Sequence, residues 1–578
     1  MGMRNDGLSY WEAQSEGFQL LNTTIGDLLD ERAESYPDQE AIVYSAYPEF
    51  GSALNLRWTY REYRERANAV AKGLMALGLK KGEHIAIWAV NFPEWLLLEM
   101  AAAKVGLVLA TVNPTYRASE LEYVLRQGDI TALFFQAKVR DHDCVATVRE
   151  RVTPGDGPGA VQSATLPKLR SAFLIGPPPA ADASWQPTPF RELIALGASI
   201  SDEALRARQA EVKPGDPAQL QYTSGTTGFP KGALLTHHSI LNNGAVVAHR
   251  LGTGPETRFC TAMPLFHTGG CVLGVLSALY GACALMPLLA FDPVKALDTL
   301  ANERCSRFGG VPTMLIAMLQ HPHSKEVDLS HLRQVFSGGS PVPVVLMEQV
   351  KQQWGADVGI VFGQTEASPT ITQTLNDDPF ELKSATVGKP LPHTDVKIIH
   401  PATGEVVPCG ERGELCCRGY LVMAGYYNMP EKTAEAIDTD GWLHTGDLAT
   451  MSKDGYVNIV GRLKDMVIRG GENLFPTEIE EFLMRHPKIA DAQVLGVPDA
   501  FFGEELLAVV MPKAGETLTE QELRAFCTGQ ISHQKIPRYF KFVDSYPMTA
   551  SGKVQKFVLR EQAIKELGLE AVARTRTA

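Results

Sequence analysis

From about Gly82 to Thr365, short apolar runs rich in β-branched residues alternate with longer amphipathic ones. The short runs suit buried strands and the long ones suit crossover helices, so the alternation predicts parallel sheets in an α/β architecture. HIAIWAV (84–90) reads as a strand, PEWLLLEMAAAKVG (93–106) as a helix opened by Pro93, and LVLATV (107–112) as the next strand. The strand signature returns in ITALFFQ (130–136) and LRQVFSGG (332–339), and PVPVVLMEQVKQQWG (341–355) supplies a further helix. Between Pro154 and Pro189, Gly, Pro, Ala and Ser dominate, which predicts surface connections around one short strand. From about Thr394, short strands with GE, DG and GY turns predict a small β-rich subdomain, and after Arg462 helices and strands mix as an α+β unit ending near Leu567. The expectation is therefore a large α/β N-terminal domain, 1–462, built of parallel-sheet subdomains plus the β-rich one, a smaller α+β C-terminal domain, 463–567, and a polar tail, 568–578.

Length and composition agree with several cores: 578 residues, 45% of them hydrophobic, make about three or four globular units at ~150 residues each. With 54 Lys+Arg against 66 Asp+Glu, the net charge of −12 opposes wrapping of a nucleic-acid backbone, so any phosphate must be held locally and no nucleic-acid partner is expected. The nine cysteines are scattered without CxxC spacing, which favours free thiols in a reducing, cytoplasmic setting. MGMRNDGLSYW lacks the apolar core of a signal peptide, and Asp6 stands where a myristoylation motif wants Ser or Thr. Gly269–Phe291 is uncharged and long enough to cross a bilayer, yet Gly281 and Pro287 punctuate it. A buried helix, a turn and a buried strand explain that run without an integral membrane span.

The candidate chemistry centres on YTSGTTGFPKG (222–232), between the predicted strands QLQYT and ALLTH. Its glycines (Gly225, Gly228, Gly232) let backbone approach a polyanion, the hydroxyls of Thr223, Ser224, Thr226 and Thr227 add donors, and Lys231 adds positive charge. Gly232 follows Lys231 where a Walker A loop has Ser or Thr to hold magnesium, so this is a different kind of phosphate loop. In FGQTE, Phe362 offers a stacking face, Gly363 close approach, and Glu366 a hard oxygen suited to magnesium, while Gln364 and Thr365 complete the segment. Gly338, Gly339 and Ser340 of FSGGS end a strand and can wall a flat base.

YTSGTTGFPKG resembles the phosphate loop of the adenylate-forming superfamily of acyl-CoA synthetases, aryl-CoA ligases, luciferases and adenylation domains. FGQTE (362–366), GWLHTGD (441–447), GRLKDMVIRGGEN (461–473) and PMTASGK (547–553) follow in that superfamily's order. The resemblance implies an enzyme that uses ATP, Mg2+ and coenzyme A to turn a carboxylic acid into an acyl-adenylate and then a thioester. It implies ribose contacts at Asp447 and Arg462, a catalytic lysine at Lys553, a mobile C-terminal domain turning on a hinge at Lys464, and a pantetheine passage at Gly470 and Gly471. His267 in PLFHTGG matches a position bordering the acyl-adenylate and is equally readable as structural, as Gly269, Gly270 and Cys271 are readable as tunnel wall or core. Phe362 where Tyr is commoner and Lys464 where many relatives carry Asp are departures. GGENLFPTEIEEFL and the segment FCTGQISHQKIPRYFKFVDSYPMTASGKVQKFVLREQ resemble medium-chain fatty acid:CoA ligases, with carrier-protein loading or an aryl or branched acid as alternatives. The expected partners are the fatty acid, ATP and CoA, with a lysine acyltransferase acting on Lys553 as a regulator and oligomerisation left open.

Overall fold

Pro93 occupies the first turn of the helix Pro93–Val105, where its missing N–H costs nothing, and Gly106 ends it at φ +70°, a conformation that a β-carbon disfavours. The helix is buried all round, as its sequence LLLEMAAA dictates, and it connects the strand His84–Trp88 to its parallel neighbour Val108–Val112. These coordinates are a computed structural model describing residues 2–4, 6–178, 185–223, 230–470, 472–549 and 553–574. The chain divides into two compact units, one comprising Glu12–Asp395 and Cys417–Leu443, the other Met1–Trp11, Val396–Cys416 and His444–Ala578.

The first unit holds two large sheets. One runs Ser171–Ile175, Ile130–Gln136, His84–Trp88, Val108–Val112, Pro217–Thr223, Lys231–Thr236 and Gly425–Tyr426, the first five strands parallel and each of the last two antiparallel to the strand before it. The other has a parallel centre of Asp357–Gly363, Gln334–Gly338, Arg307–Gly309, Arg258–Thr261, Ala284–Pro287 and Glu40–Tyr44, with antiparallel strands added at both edges. The α/β reading thus stands, as mixed sheets with parallel centres. The uncharged run forms the short helix Thr268–Gly270, a π-helical turn Cys271–Leu276, the helix Ser277–Gly281, a left-handed turn at Ala282 and the buried strand Ala284–Pro287. Among the described residues no helix is long and apolar enough to cross a membrane. Between 154 and 189 the predicted strand is Ser171–Ile175, and a further two-residue pair, Thr153–Pro154 with Val161–Gln162, forms because Gly157 and Gly159 turn the chain back at positive φ.

The second unit carries a five-stranded sheet of Tyr10–Trp11, Thr394–Ile399, Gly413–Gly419, Leu443–Met451 and Val457–Arg462, the β-rich subdomain expected from the turn spacing. Beyond it lies a second sheet built on the long pair Ile489–Asp499 and Gly503–Pro512, with Tyr539–Phe542 added in parallel and the helix Lys556–Glu566 against it. The segment read as a polar tail begins with a short helix, Glu570–Arg574.

Asp491 sits in this second sheet, and burial lifts its carboxyl to about 6, with the Glu480 charge adding to the rise. The folded chain therefore holds that proton more tightly than the unfolded chain, so stability falls as pH rises through this range and stays lower above it. Asp491→Asn keeps the acceptor for the Ala492 N–H without the buried charge. It should gain up to about 3 kcal/mol at pH ~8 and nothing at pH ~3.5, read from thermal melts at both values; an equal gain at both would show that charge burial is not the cause.

Candidate active site

Gln334–Gly338 and Asp357–Gly363 are parallel neighbours with Gly338 opposite Val361, so FSGGS and FGQTE emerge side by side at the carboxyl edge of the sheet. That edge is where open α/β sheets bind their ligands. The two glycines are required by the chain itself: a β-carbon on Gly338 would lie 2.2 Å from the Val361 carbonyl oxygen, and one on Gly363 2.0 Å from that of Pro369. Gly339 follows at φ +79°, with Ser340 and Phe362 half-buried beyond it.

Glu366 lies in the turn Thr365–Ala367 directly after Gln364. Its Oε1 accepts the Tyr426 hydroxyl at 2.6 Å, and its carbonyl accepts the Met423 N–H at 2.9 Å. Lys231 opens the strand Lys231–Thr236 opposite Thr223 and sets its Nζ 4.1 Å from the centroid of the same Tyr426 ring. Tyr426 thereby joins the acid of one motif to the base of another, and burial with the nearby Glu366 charge raises its phenol so that it stays a donor. A carboxylate held beside a lysine fits a magnesium–polyphosphate group, the carboxylate as hard oxygen ligand and the lysine as counter-charge. Of the phosphate loop only the two ends are placed; Ser224, Gly225, Thr226, Thr227 and Gly228 lie outside the described residues.

His267 caps the turn Thr268–Gly270, its Nδ1 accepting the Gly269 N–H at 3.1 Å, which leaves the ring proton of the neutral imidazole on Nε2. Behind this segment runs a buried polar ladder. Thr111 Oγ1 lies 2.8 Å from the Phe266 carbonyl and 3.0 Å from Gln221 Oε1, Gln221 Nε2 donates to Gln219 Oε1 at 2.9 Å, and Gln219 Nε2 donates to Glu99 Oε1 at 2.8 Å. Cys271 joins it, its thiol 3.4 Å from the His267 carbonyl. Burial pushes the Glu99 carboxyl well above the usual range, which favours its protonated form.

In the other unit, antiparallel pairing sets Asp447 opposite Arg462, whose Nε donates to Asp447 Oδ1 at 3.1 Å. Asp447 is only 5% exposed. Burial raises its carboxyl, and Arg462, Lys553 and Lys464 pull it back down, which brings four predicted residues from three motifs into one electrostatic neighbourhood. Lys464 lies in the turn Leu463–Asp465, and the Lys553 loop is closed at its ends by Thr549 N–H to the Lys553 carbonyl and Lys553 N–H to Thr549 Oγ1. Gly470, at φ +59°, donates its N–H to the Phe502 carbonyl at 2.9 Å; Gly471 lies outside the described residues. The turn that presents Asp447 is braced from the neighbouring strand: Glu414 accepts the Gly446 N–H at 3.0 Å and faces His444 Nδ1 at 3.0 Å, and Thr445 Oγ1 donates to the Leu415 carbonyl at 2.7 Å. Sequence reading did not single out Glu414, His444 or Tyr426. For His444 the signal was at hand inside GWLHTGD, whereas nothing local marks the other two.

These elements are those of an adenylate-forming enzyme, and the chain belongs to the AMP-binding enzyme family, which it matches over residues 29–427, with the AMP-binding enzyme C-terminal domain matched over 478–553. It is similar to the YngI protein of Bacillus subtilis, named as an acyl-CoA synthetase, at 46% identity over 96% of this chain and 99% of that one. It is 38% identical to mouse medium-chain acyl-CoA ligase ACSF2, mitochondrial, over 97% of this chain and 91% of the relative. ATP-bound MatB from Rhodopseudomonas palustris has the same fold, with a TM-score of 0.80 and 29% identity over 94% of this chain and 99% of that one. The activity is ATP-dependent, AMP-forming acid:CoA ligation, with ATP, Mg2+ and coenzyme A as the cofactors.

Tyr426→Phe removes the hydroxyl from Glu366 and keeps the ring under Lys231. It should raise the KM for MgATP in pyrophosphate exchange by ~10-fold, the scale of one hydrogen bond to a charged group, and leave thioester formation from supplied acyl-adenylate unchanged. An unaltered KM would remove Tyr426 from the site.

Proposed function

We propose that the chain activates medium-chain fatty acids, and that the observation carrying this reading is its likeness, over almost its whole length, to a medium-chain acyl-CoA ligase. The buried, uncharged segment that follows His267 supports it, since an alkyl chain gains about 0.8 kcal/mol per buried methylene and asks for such a lining. A carboxylate is a poor electrophile; as a mixed anhydride with AMP it gains a stabilised leaving group. The acid attacks the α-phosphorus, pyrophosphate departs, and the CoA thiol then displaces AMP from the carbonyl.

In this reading Thr223, Lys231 and the loop between them take the phosphates, Glu366 would hold the magnesium, and Asp447 and Arg462 take the ribose. Magnesium supplies charge neutralisation on the phosphates as pyrophosphate departs. Phe362, Gly363, Gln364, Thr365, Gly338, Gly339 and Ser340 form the adenine side, and His267 borders the acyl group. Lys553 offsets the negative charge that builds as one anion attacks another. The domains are 1–462 and 463–567, the second turning about Lys464 between half-reactions so that Gly470 and Gly471 admit the pantetheine arm. The enzyme works in the cytoplasm, and acylation of Lys553 by a lysine acyltransferase would erase its charge and silence adenylation.

AMP release across a panel of butyrate, octanoate, palmitate, branched and aromatic acids, each with and without CoA, tests the assignment. CoA-dependent turnover greatest with octanoate is expected; AMP release indifferent to CoA would point to carrier loading, and a preference for aromatic acids would overturn the substrate. Lys553→Ala should slow adenylation by ~10²-fold or more while still consuming supplied acyl-adenylate, and equal damage to both half-reactions would refute its role. Lys464→Pro should spare pyrophosphate release and collapse thioester formation, so normal thioester turnover in that variant would count against the hinge.

A further inference from the structure

Beside the turn that presents Asp447, three side chains of different donor type meet. Glu414 and Cys416 stand two apart on the strand Gly413–Gly419, hence on the same face, and His444 projects from the adjacent strand Leu443–Met451. Cys416 Sγ is 3.5 Å from His444 Nδ1, Glu414 Oε2 is 3.0 Å from that same nitrogen, and the three donor atoms all lie within 4.8 Å of one another. Around a tetrahedral zinc-class ion with bonds of about 2.0–2.3 Å, neighbouring donors stand roughly 3.3–3.7 Å apart. The sulfur–nitrogen edge already has that length, and the nitrogen–oxygen edge needs only a few tenths of an ångström.

We propose that Glu414, Cys416 and His444 form a binding site for a zinc-class divalent cation, separate in chemistry from the magnesium that accompanies ATP. A thiolate, an imidazole and a carboxylate are a borderline-soft set that suits Zn2+ or Co2+ and is disfavoured by Mg2+, which demands oxygen and octahedral geometry. The carboxylate is already oriented, because its Oε1 takes the Gly446 N–H at 3.0 Å and leaves Oε2 to face His444. Cys416 is wholly buried and Glu414 nearly so, while the His444 side chain is 30% exposed, which gives the ion an entry and a place for a fourth, water ligand. Binding breaks the S–H bond of Cys416, whose proton goes to solvent, and the Nδ1–H bond of His444, whose proton leaves Glu414 and exchanges through solvent so that the neutral ring keeps one proton on Nε2; the metal forms bonds to the thiolate sulfur, to Nδ1 and to Oε2, with no change of oxidation state.

The test is titration of the metal-stripped full chain with Co2+ in millimolar Mg2+, in a Cys409→Ser background that removes the one half-buried thiol. One equivalent should produce a near-ultraviolet thiolate-to-cobalt absorption, displaced by Zn2+ and indifferent to Mg2+. Cys416→Ser should abolish that absorption, and Glu414→Gln, which keeps the thiol and most of the packing, should weaken cobalt binding at least ~10-fold. Absence of the band in folded protein, or a band that persists unchanged in Cys416→Ser or in Glu414→Gln, would overturn the site.

Discussion

Asp447 is a carboxylate that burial pushes toward its neutral form, and as a neutral acid it could not accept two hydroxyl donors at full strength. Arg462, Lys553 and Lys464 oppose that push, Arg462 also through a direct hydrogen bond. The other two belong to segments that sequence resemblance associates with the hinge and the catalytic loop. Any rearrangement that withdraws Lys553 would remove part of the charge that favours the ionised form of Asp447. Asp447 and Lys553 are thus electrostatically coupled within one unit of the chain.

A comparable economy governs the other unit. Gly338 and Gly363 stand where a β-carbon would collide with neighbouring backbone, so the two motifs can end side by side only if both positions are glycine. Asn243, buried on the helix His237–Arg250, then exchanges hydrogen bonds with the backbone of Thr370 and fixes the chain just past Glu366. Tyr426 completes the arrangement from a two-residue edge strand, its hydroxyl on Glu366 and its ring under Lys231. Packing sets the backbone, and hydrogen bonds aim the charged groups.

What the sequence disclosed follows from which interactions are local. The helix Pro93–Val105 was legible because its start and stop are residues with strong backbone preferences, and Gly269–Phe291 resolved into helix, turn and strand because Gly281 and Pro287 break it. The five motifs were legible because each packs its glycines, hydroxyls and charges within a dozen residues or so. Tyr426 and Glu414 left no such mark: their partners come from distant segments, and strand register, which brings them there, depends on side-chain packing across the whole sheet. The hairpin Thr153–Gln162 was missed for a different reason, since two-residue strands carry too few side chains to show a period.

Glu99 shows how such hidden contacts bear on function. Its helix is apolar on every side, and a carboxyl there is tolerated where burial favours its protonated form and it accepts from Gln219. From Gln219 the bonds pass through Gln221 to Thr111 and the Phe266 carbonyl, ending at the segment that carries His267. An all-apolar interior would hold that segment by volume alone and leave it free to slide along the packing surface. Directional bonds from a fixed ladder remove that freedom, so the segment that carries His267 is held by hydrogen bonds as well as by packing.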